Sequence, residues 1–277
     1  MTKKKHRSWG AGIIHVLLLI GVVIVAFPFV WMILSSFKSL SDFYNFSFLP
    51  KTFDFSAYSY IFQETHYLRW YLNSIIVAVI VTVSCIIFNS LIGYVLAKHK
   101  FPGASVIFIL ILCTLMIPTE MLVIPWYMMS VDFSWVDSYW GIMFPGMIEA
   151  FGVFLMRQFM LGVPNDILDA ARIDGMSEFK IWWRVAMPQV KSAVSALGII
   201  TFLGNWNAYL WPVIITATDP MRTLPVGISL YSTGDAGGIQ WNTIMAMSTL
   251  AVVPMIIVFL ILQKRIVEGI ALTGVKG

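Results

Sequence analysis

The chain has 277 residues, of which 59% are hydrophobic and 12% are charged, whereas soluble domains are about 45–50% apolar and about 25% charged. Its net charge is +4 and its mean hydropathy is +0.83. These values exclude a soluble globular domain and a disordered chain, which requires few apolar residues. Two cysteines also exclude a disulfide-stapled secreted scaffold, so the composition indicates a polytopic membrane protein.

Six apolar stretches are long enough to cross a hydrocarbon core about 30 Å thick, which requires about 20 residues in a helix. They lie at residues 11–36, 71–96, 104–124, 141–160, 192–215 and 242–263. The first is longer than the apolar core of a secretory signal, so we expect an uncleaved span. The pattern predicts an all-α fold with six transmembrane helices.

The basic residues predict the orientation of these spans. With the N-terminus inside, 14 of the 18 Lys and Arg residues fall on inner segments. Because cytoplasmic loops of membrane proteins carry an excess of Lys and Arg, we expect both termini in the cytoplasm.

The sequence has no phosphate-binding G-x-x-x-x-G-K-[ST] loop, so ATP would have to be bound by a partner. The four histidines are scattered and predict no metal site, and Cys85 and Cys113 stand alone within spans. No catalytic motif is found, and we expect the chain not to be an enzyme. An ion-coupled carrier would keep ionisable groups inside its spans. Among the acidic residues only Glu120 and Glu149 qualify, which weakens that alternative without removing it.

The inner loop at residues 161–190 predicts two short helices. Asn165 is suited to cap the first helix and Gly175 to end it in a left-handed conformation. Ser177 is suited to cap the second helix, and Pro188 to close it.

Each of the two loop helices carries an apolar stripe. The first stripe is small and flat and the second is bulky; they comprise Ile167, Ala170 and Ala171, and Phe179, Trp182, Trp183 and Ala186. Such stripes suit a groove on a cytoplasmic partner. A pair of amphipathic helices lying on the lipid surface is the alternative.

The same loop carries a motif with a specific spacing. Asp169-Ala170-Ala171 is followed by Asp174-Gly175, nine residues, and Val185-x-Met187-Pro188. This pattern resembles the EAA loop of ATP-binding-cassette importer permeases, with Asp for Glu at 169, Val for Ile at 185 and Met for Leu at 187. Further segments are similar to sugar-importer permeases of the maltose-transporter type: MIP at 116–118, FLMRQF at 154–159, FLGNWNAYLWP at 202–212, TLPVG at 223–227 and the terminal GVKG.

The resemblance implies a type I importer permease in a bacterial or archaeal plasma membrane. It implies a second homologous permease, two copies of an ATPase that binds ATP and Mg, and an extracytoplasmic solute-binding protein; this chain would hold no cofactor. The chain would divide into an N-terminal part (1–69), a permease core (70–263) and a cytoplasmic tail (264–277). Residues from Asp169 to Gly175 would form the coupling helix that sits in the ATPase cleft.

The resemblance also assigns the last outer loop and the tail. Gly234, Asp235, Gly237 and Gly238 would contact the binding protein, with a flexible outer turn as the alternative. The segment 274–277 would contact the ATPase pair or be a frayed tail.

A sugar pathway should combine polar groups with aromatic rings, and the fifth span offers both. On a continuous helix Phe202, Asn205 and Tyr209 share one face, and Asn207 lies about 200° away with Trp211. We expect the first three to face the pathway and Asn207 to bond between helices. Glu120 and Glu149 are further candidates, although a buried structural pair is the alternative.

Apart from Arg157 near the inner end of the fourth, the predicted spans contain no Lys or Arg, which favours a neutral solute, because a phosphate-bearing one would require cations. We therefore expect a permease for a carbohydrate. A permease of the same machinery for glycerol phosphate or another polyol derivative is the first alternative, and the ion-coupled carrier is the second.

Overall fold

The computed structural model describes residues 9–44, 47–233 and 240–274, and side chains from 12 to 261 within them. All regular structure in these ranges is helical, without a strand. The α-helices are α1 (Trp9–Ser35), α2 (Leu40–Tyr44), α3 (Ser56–Glu64), α4 (Tyr67–Lys98), α5 (Ala104–Thr114), α6 (Val123–Asp132), α7 (Tyr139–Met143), α8 (Ala150–Leu161), α9 (Asn165–Ile173), α10 (Glu178–Ile181), α11 (Met187–Gln189), α12 (Lys191–Trp206), α13 (Leu210–Ile215), α14 (Leu224–Thr233) and α15 (Trp241–Gly274).

Three of the described helices are long and apolar enough to cross a membrane unbroken: Gly12–Ser35, Tyr67–Lys98 and Trp241–Ile261. Three further candidates are bent pairs: Ala104–Thr114 with Thr119–Asp132 (95°), Tyr139–Gly146 with Ala150–Leu161 (45°), and Glu178–Gln189 with Lys191–Trp206 (88°). Counting each pair once gives up to six spans, the predicted number, although the third pair joins part of the inner loop to the first half of the predicted fifth span.

Breaks inside the predicted spans are the main departure from the sequence expectation. The stretch 104–124 stops at Thr114 and resumes as a 3₁₀ turn, Thr119–Leu122, after Pro118. The stretch 192–215 forms two helices: the first ends at Trp206, and the second begins at Leu210. Proline cannot donate a backbone hydrogen bond and clashes with the preceding turn, which explains the first break.

The chain forms two compact units, and one comprises the described residues within Met1–Thr65 and Ile228–Val252. In this unit the side chains of residues 12–30 are all exposed. Lys38 is buried, with its Nζ 4.4 Å from the Trp31 ring centroid and donating to the Ser47 carbonyl. Burial lowers the pKa of Lys38, although the nearby Asp42 carboxylate opposes this shift.

The second unit comprises His66–Gly227 and the described residues from Val253 onward. Its central helix is α4, which packs along both α8 and α12. A Cβ at Gly93 would lie 2.8 Å from the backbone nitrogen of Arg157, so α4 and α8 approach closely. The inner loop belongs to the same core, since Leu168 and Trp182 are buried with Tyr94 of α4.

At the other end of this unit, Asp137 joins two outer loops. Its Oδ1 accepts hydrogen bonds from the backbone N–H of Ala217 (2.8 Å) and Thr218 (3.0 Å), and its Oδ2 accepts one from the Thr218 hydroxyl (2.7 Å). Partial burial would raise the pKa of Asp137, but these hydrogen bonds outweigh it and lower the pKa below its usual value. The carboxylate therefore stabilises the loop that follows α13.

Candidate functional site

The inner loop folds as two helical segments joined by a tight turn. Helix α9 ends at Ile173, and Gly175 has φ +78°, the left-handed conformation expected for it. Helix α10 continues through a π-helical turn, Trp182–Ala186, to Gln189.

The three other predicted helix ends each differ from the structure in detail. Asn165 is the first residue of α9, after Pro164 at the cap position, and its Oδ1 accepts a hydrogen bond from Lys98 Nζ (3.0 Å). Ser177 precedes α10 but its side chain makes no capping hydrogen bond. Pro188 is the second-last residue of the helical segment, which ends at Gln189, one residue beyond the predicted end.

The apolar stripes are only half available to a partner. Ala171, Trp182 and Ala186, which the stripe pattern placed on docking faces, are buried in the core of the unit. The accessible apolar residues form what we name the loop surface, and they are Ile167, Ala170, Ile173, Phe179 and Trp183. Ile173 is 87% exposed, so α9 presents a bare apolar end where the motif lies.

A polar cluster holds the loop to the end of α4, and we name it the Glu178 hub: Glu178, Arg172, Asp169, Tyr94 and His99. The Glu178 carboxylate accepts from Arg172 Nε (2.7 Å) and Nη2 (3.3 Å) and from the Tyr94 hydroxyl (2.9 Å). His99 Nε2 lies 3.3 Å from the same carboxylate. Arg172 Nη1 also donates to Asp169 Oδ1 (2.5 Å).

The electrostatics of the hub follow from these contacts. Hydrogen bonding to Glu178, followed by that to Asp169, raises the pKa of Arg172, so the guanidinium stays charged. Asp169, the motif residue predicted to meet the ATPase, is thus paired within the chain. Lys98 adds a second anchor, since its Nζ donates to the Val163 carbonyl (2.6 Å).

A cavity of about 600 Å³ lies where the third, fourth and fifth predicted spans are broken. Its polar lining includes Thr119, Glu149, Thr201 and Asn205, and its aromatic lining includes Trp126, Phe151 and Trp211. Glu149 is the one charged residue among those that line it. A pocket with a few polar groups and aromatic walls is typical of a small-molecule site.

Glu149 occupies the break between the 3₁₀ turn Phe144–Gly146 and α8. Its backbone N–H donates to Asn89 Oδ1 (3.3 Å), and Asn89 is buried on α4. The half-buried carboxylate accepts no hydrogen bond from the part of the chain that the structure describes. Its acceptor oxygens therefore remain available within the cavity.

The fifth predicted span departs most from the pathway prediction. Asn205 lines the cavity, with its Nδ2 donating to the Thr201 carbonyl (2.9 Å). Phe202 does not line it, because it is buried against the Trp206 ring at 6.0 Å. Tyr209 lies in the break before α13, is 46% exposed and does not line the cavity either.

Two further positions differ from expectation. Glu120 lies in the 3₁₀ turn after Pro118 and is exposed, whereas its neighbour Thr119 lines the cavity. Trp211, predicted to lie away from the pathway, lines it and donates from Nε1 to the Gly141 carbonyl (3.0 Å).

Two predictions remain: a hydrogen bond from Asn207 to another helix, and contact of the last outer loop with the binding protein. Asn207 Nδ2 donates to Leu203 O (2.8 Å) in its own helix and to Met255 Sδ (3.5 Å) of α15, so the predicted interhelical hydrogen bond is present. Gly234, Asp235, Gly237 and Gly238 lie outside the described residues, as does most of the terminal segment 274–277.

The described residues contain no group of three His, Cys, Asp or Glu side chains close enough to hold a metal ion. The loop surface, the hub and the cavity are thus the features of this unit that suggest a function.

Known proteins resemble the chain over nearly all its length. It is 36% identical over 256 residues to the arabinooligosaccharides transport system permease protein AraQ of Bacillus subtilis, covering 91% of this chain and 90% of that protein. It is 34% identical over 267 residues to the sn-glycerol-3-phosphate transport system permease protein UgpE of Yersinia pestis, covering 92% and 94%.

A solved structure has the same fold. It is a chain of a bacterial ABC transporter involved in the import of the acidic polysaccharide alginate, with a TM-score of 0.81 and 24% identity, covering 95% of this chain and 99% of that one. The family model for the binding-protein-dependent transport system inner membrane component matches residues 89–271. With its broken apolar spans and its EAA-like loop, the chain belongs to this family: it is a multi-pass membrane permease subunit of an ABC importer and not an enzyme.

Proposed function

We propose that this permease forms half of the translocation pathway of an ATP-driven importer for a neutral carbohydrate. The observation that carries the proposal is the cavity at the span breaks, where Glu149 and Asn205 lie beside Trp126 and Trp211. Carboxylate and amide oxygens accept hydrogen bonds from sugar hydroxyls, and indole rings offer flat apolar faces to the C–H groups.

The charge of the cavity supports a neutral solute. A phosphate or carboxylate on the solute would favour Lys or Arg partners, and no basic residue is among those that line the cavity. A desolvated anion near the Glu149 carboxylate would be repelled. The volume of about 600 Å³ is sufficient for a small oligosaccharide, particularly when a second permease completes the wall.

Coupling to ATP is proposed to occur through the loop surface and the residues of the EAA-like motif: Asp169, Ala170, Ala171, Asp174, Gly175, Val185, Met187 and Pro188. Within this set Ala170 and Gly175 are exposed, whereas Ala171 is buried. A rigid helix end that projects an apolar residue such as Ile173 suits a groove on a partner. The motif would thus act in two ways, one part docking and one part holding the docking helix in place.

The partners in this proposal are a second homologous permease, two copies of an ATPase that bind ATP and Mg, and a solute-binding protein outside the membrane. The membrane is the plasma membrane of a bacterium or archaeon. Gly234, Asp235, Gly237 and Gly238 remain proposed contacts of the binding protein. Phe202 and Tyr209, which lie away from the cavity, and the exposed Glu120 are not retained as pathway residues.

A second candidate solute is glycerol phosphate, because several relatives are named for sn-glycerol-3-phosphate transport. The absence of basic residues from the cavity lining disfavours it. A secondary ion-coupled carrier is disfavoured by membership of the importer family.

The test is mild-detergent purification of the tagged chain from its native membrane, followed by uptake assays on the reconstituted complex. We expect a second permease and an ATPase to copurify, and labelled arabinotriose to be accumulated with ATP while labelled sn-glycerol 3-phosphate is not. Recovery without an ATPase would contradict the importer role. Accumulation of the phosphate ester alone would contradict the neutral solute.

A further inference from the structure

The Glu178 hub connects three separate pieces of the cytoplasmic side. One carboxylate, on α10, accepts hydrogen bonds from Arg172 of α9 and from Tyr94 of α4, and it contacts His99 just beyond α4. An isolated exposed ion pair contributes little to stability. Here, however, the guanidinium makes two bonds to one carboxylate, an arrangement that fixes orientation as well as distance.

One side of the hub is rigidly seated. Tyr94 is 1% exposed and lies in the same buried cluster as Leu168 of α9 and Trp182. Its hydroxyl therefore reaches Glu178 from a fixed position in the core. The other side, Arg172 with Asp169, belongs to the helix that carries the loop surface.

The same helix α4 leads from the hub to the cavity. Asn89 precedes Tyr94 by five residues, about 7.5 Å along a helix axis, and its Oδ1 accepts from the Glu149 backbone N–H. A Cβ at Gly152 would lie 2.0 Å from Asn89 Nδ2, so α8 is pressed against this amide. Close packing of this kind transmits displacement, because a packed core deforms little.

We propose that Glu178 is a positioning residue that makes the coupling loop and α4 move as one rigid body, so that ATPase closure is transmitted along α4 to Asn89 and the Glu149 break. This inference rests on the proposed function. It makes the hub a permanent joint rather than a latch that opens during transport.

The first test uses a reporter that needs no identified solute. In the purified complete transporter, Cys113→Ser removes an exposed thiol and Ile148→Cys introduces a thiol at the cavity wall, where Ile148 is 52% exposed. The rate of its alkylation by a maleimide is measured without nucleotide and with ATP and vanadate. Since allosteric coupling typically changes an equilibrium 5- to 150-fold, we expect ATP to change the rate about 5-fold or more with the intact hub.

In the same background, Glu178→Gln and Glu178→Ala should reduce this nucleotide-dependent change to less than about 2-fold, while ATP hydrolysis and copurification of the ATPase persist. The matched control is Lys180→Ala, an exposed residue of the same helix, which should retain the full response. Tyr94→Phe should lower the response and add no further loss to Glu178→Gln, because residues of one network are not additive. A full response in Glu178→Ala would overturn the proposal.

The second test decides whether the hub contact stays closed or opens during transport. It also applies if Glu178→Ala assembles poorly. His99→Cys with Glu178→Cys, joined by a short cross-linker, replaces the 3.3 Å contact with a covalent one. A permanent joint predicts that cross-linking restores ATP-driven uptake of arabinotriose above that of the uncross-linked variant. Loss of uptake on cross-linking would show that the contact must open and would overturn the proposal.

If ATP and vanadate do not change the alkylation rate in the transporter with an intact hub, both the proposed function and this inference are refuted. If ATP and vanadate change the rate equally with the intact hub and in the Glu178 variants, only this inference is refuted.

Discussion

Substitutions of Gly175, just beyond α9, test whether the left-handed backbone conformation or the lack of a side chain is important at this position. Its φ is +78°, and a Cβ there would meet nothing within 4 Å in the described chain. The penalty for Gly175→Val is therefore conformational, about 1–2 kcal/mol for an L residue in the left-handed region, with more for a branched side chain. Since 1.4 kcal/mol corresponds to a factor of ten in an equilibrium constant, the ratio of loops with the native turn to loops without it would fall about 5- to 30-fold.

The assay is ATP-driven uptake of arabinotriose by the reconstituted complex, compared for Gly175→Val, Gly175→Ala and Gly175→Asn. Asparagine visits the left-handed region readily but is larger than alanine. If the backbone decides, the Asn variant should retain more uptake than the Ala and Val variants, with similar copurification of the ATPase in all three. Equal loss in Asn and Val would refute this reasoning and assign the effect to space beside the ATPase.

Three further predictions concern the cavity, the core and the outer loop. Glu149→Gln should lower kcat/KM for uptake about tenfold or more, because a hydrogen bond to a charged group contributes about 1.5–3 kcal/mol. Gly227→Ala places a Cβ 2.1 Å from the Trp70 ring and should destabilise the protein by about 1–3 kcal/mol, measured by thermal unfolding in detergent. Asp137 has a lowered pKa, so its stabilisation is present above its unfolded pKa and is lost as pH falls through the folded pKa. Asp137→Asn should remove this acid-dependent loss, measured as outer-loop hydrogen exchange between pH 3 and pH 7.

Each of these has a matched control. Glu120→Gln alters an exposed carboxyl away from the cavity and should leave uptake unchanged; a similar loss would contradict the assignment of Glu149. Gly204→Ala meets nothing within 4 Å and should be tolerated, whereas equal destabilisation would refute the packing argument. Asp132→Asn, at an exposed carboxyl, should keep the acid dependence of outer-loop hydrogen exchange. Loss of that dependence in this variant would contradict its assignment to Asp137.

The sequence was sufficient for the class of fold and the number of spans, because both depend on long-range composition. It also predicted the left-handed turn at Gly175, where only local geometry matters. The faces of the loop helices were predicted less well. Ala171 and Ala186 belong to regular apolar stripes, but α4 and its neighbours cover them, and burial by a distant element is not encoded in local periodicity.

Asn205 and Glu149 line the cavity as predicted, but the other pathway predictions failed for a different reason. A helical wheel over residues 192–215 assumes one continuous helix, and the helix ends at Trp206. Beyond that residue the rotation per residue no longer applies, so Tyr209 and Trp211 exchanged roles. Thr119 and Thr201 were missed because small hydroxyl residues are common in spans, and they had no sequence signal of their own.

The broken spans have a consequence for water. Between Thr114 and Thr119 and between Asn207 and Leu210 the chain leaves the regular helical pattern. The amides of Leu115, Met116 and Ile117 donate to carbonyls three residues back, so the groups left without a regular partner at a helix end are carbonyls, and lipid can supply none. Non-helical backbone at membrane depth is tolerated where it lines a hydrated cavity. The interruptions therefore favour a pathway that holds water even without solute, so that a sugar entering it exchanges one hydration shell for another rather than being stripped dry.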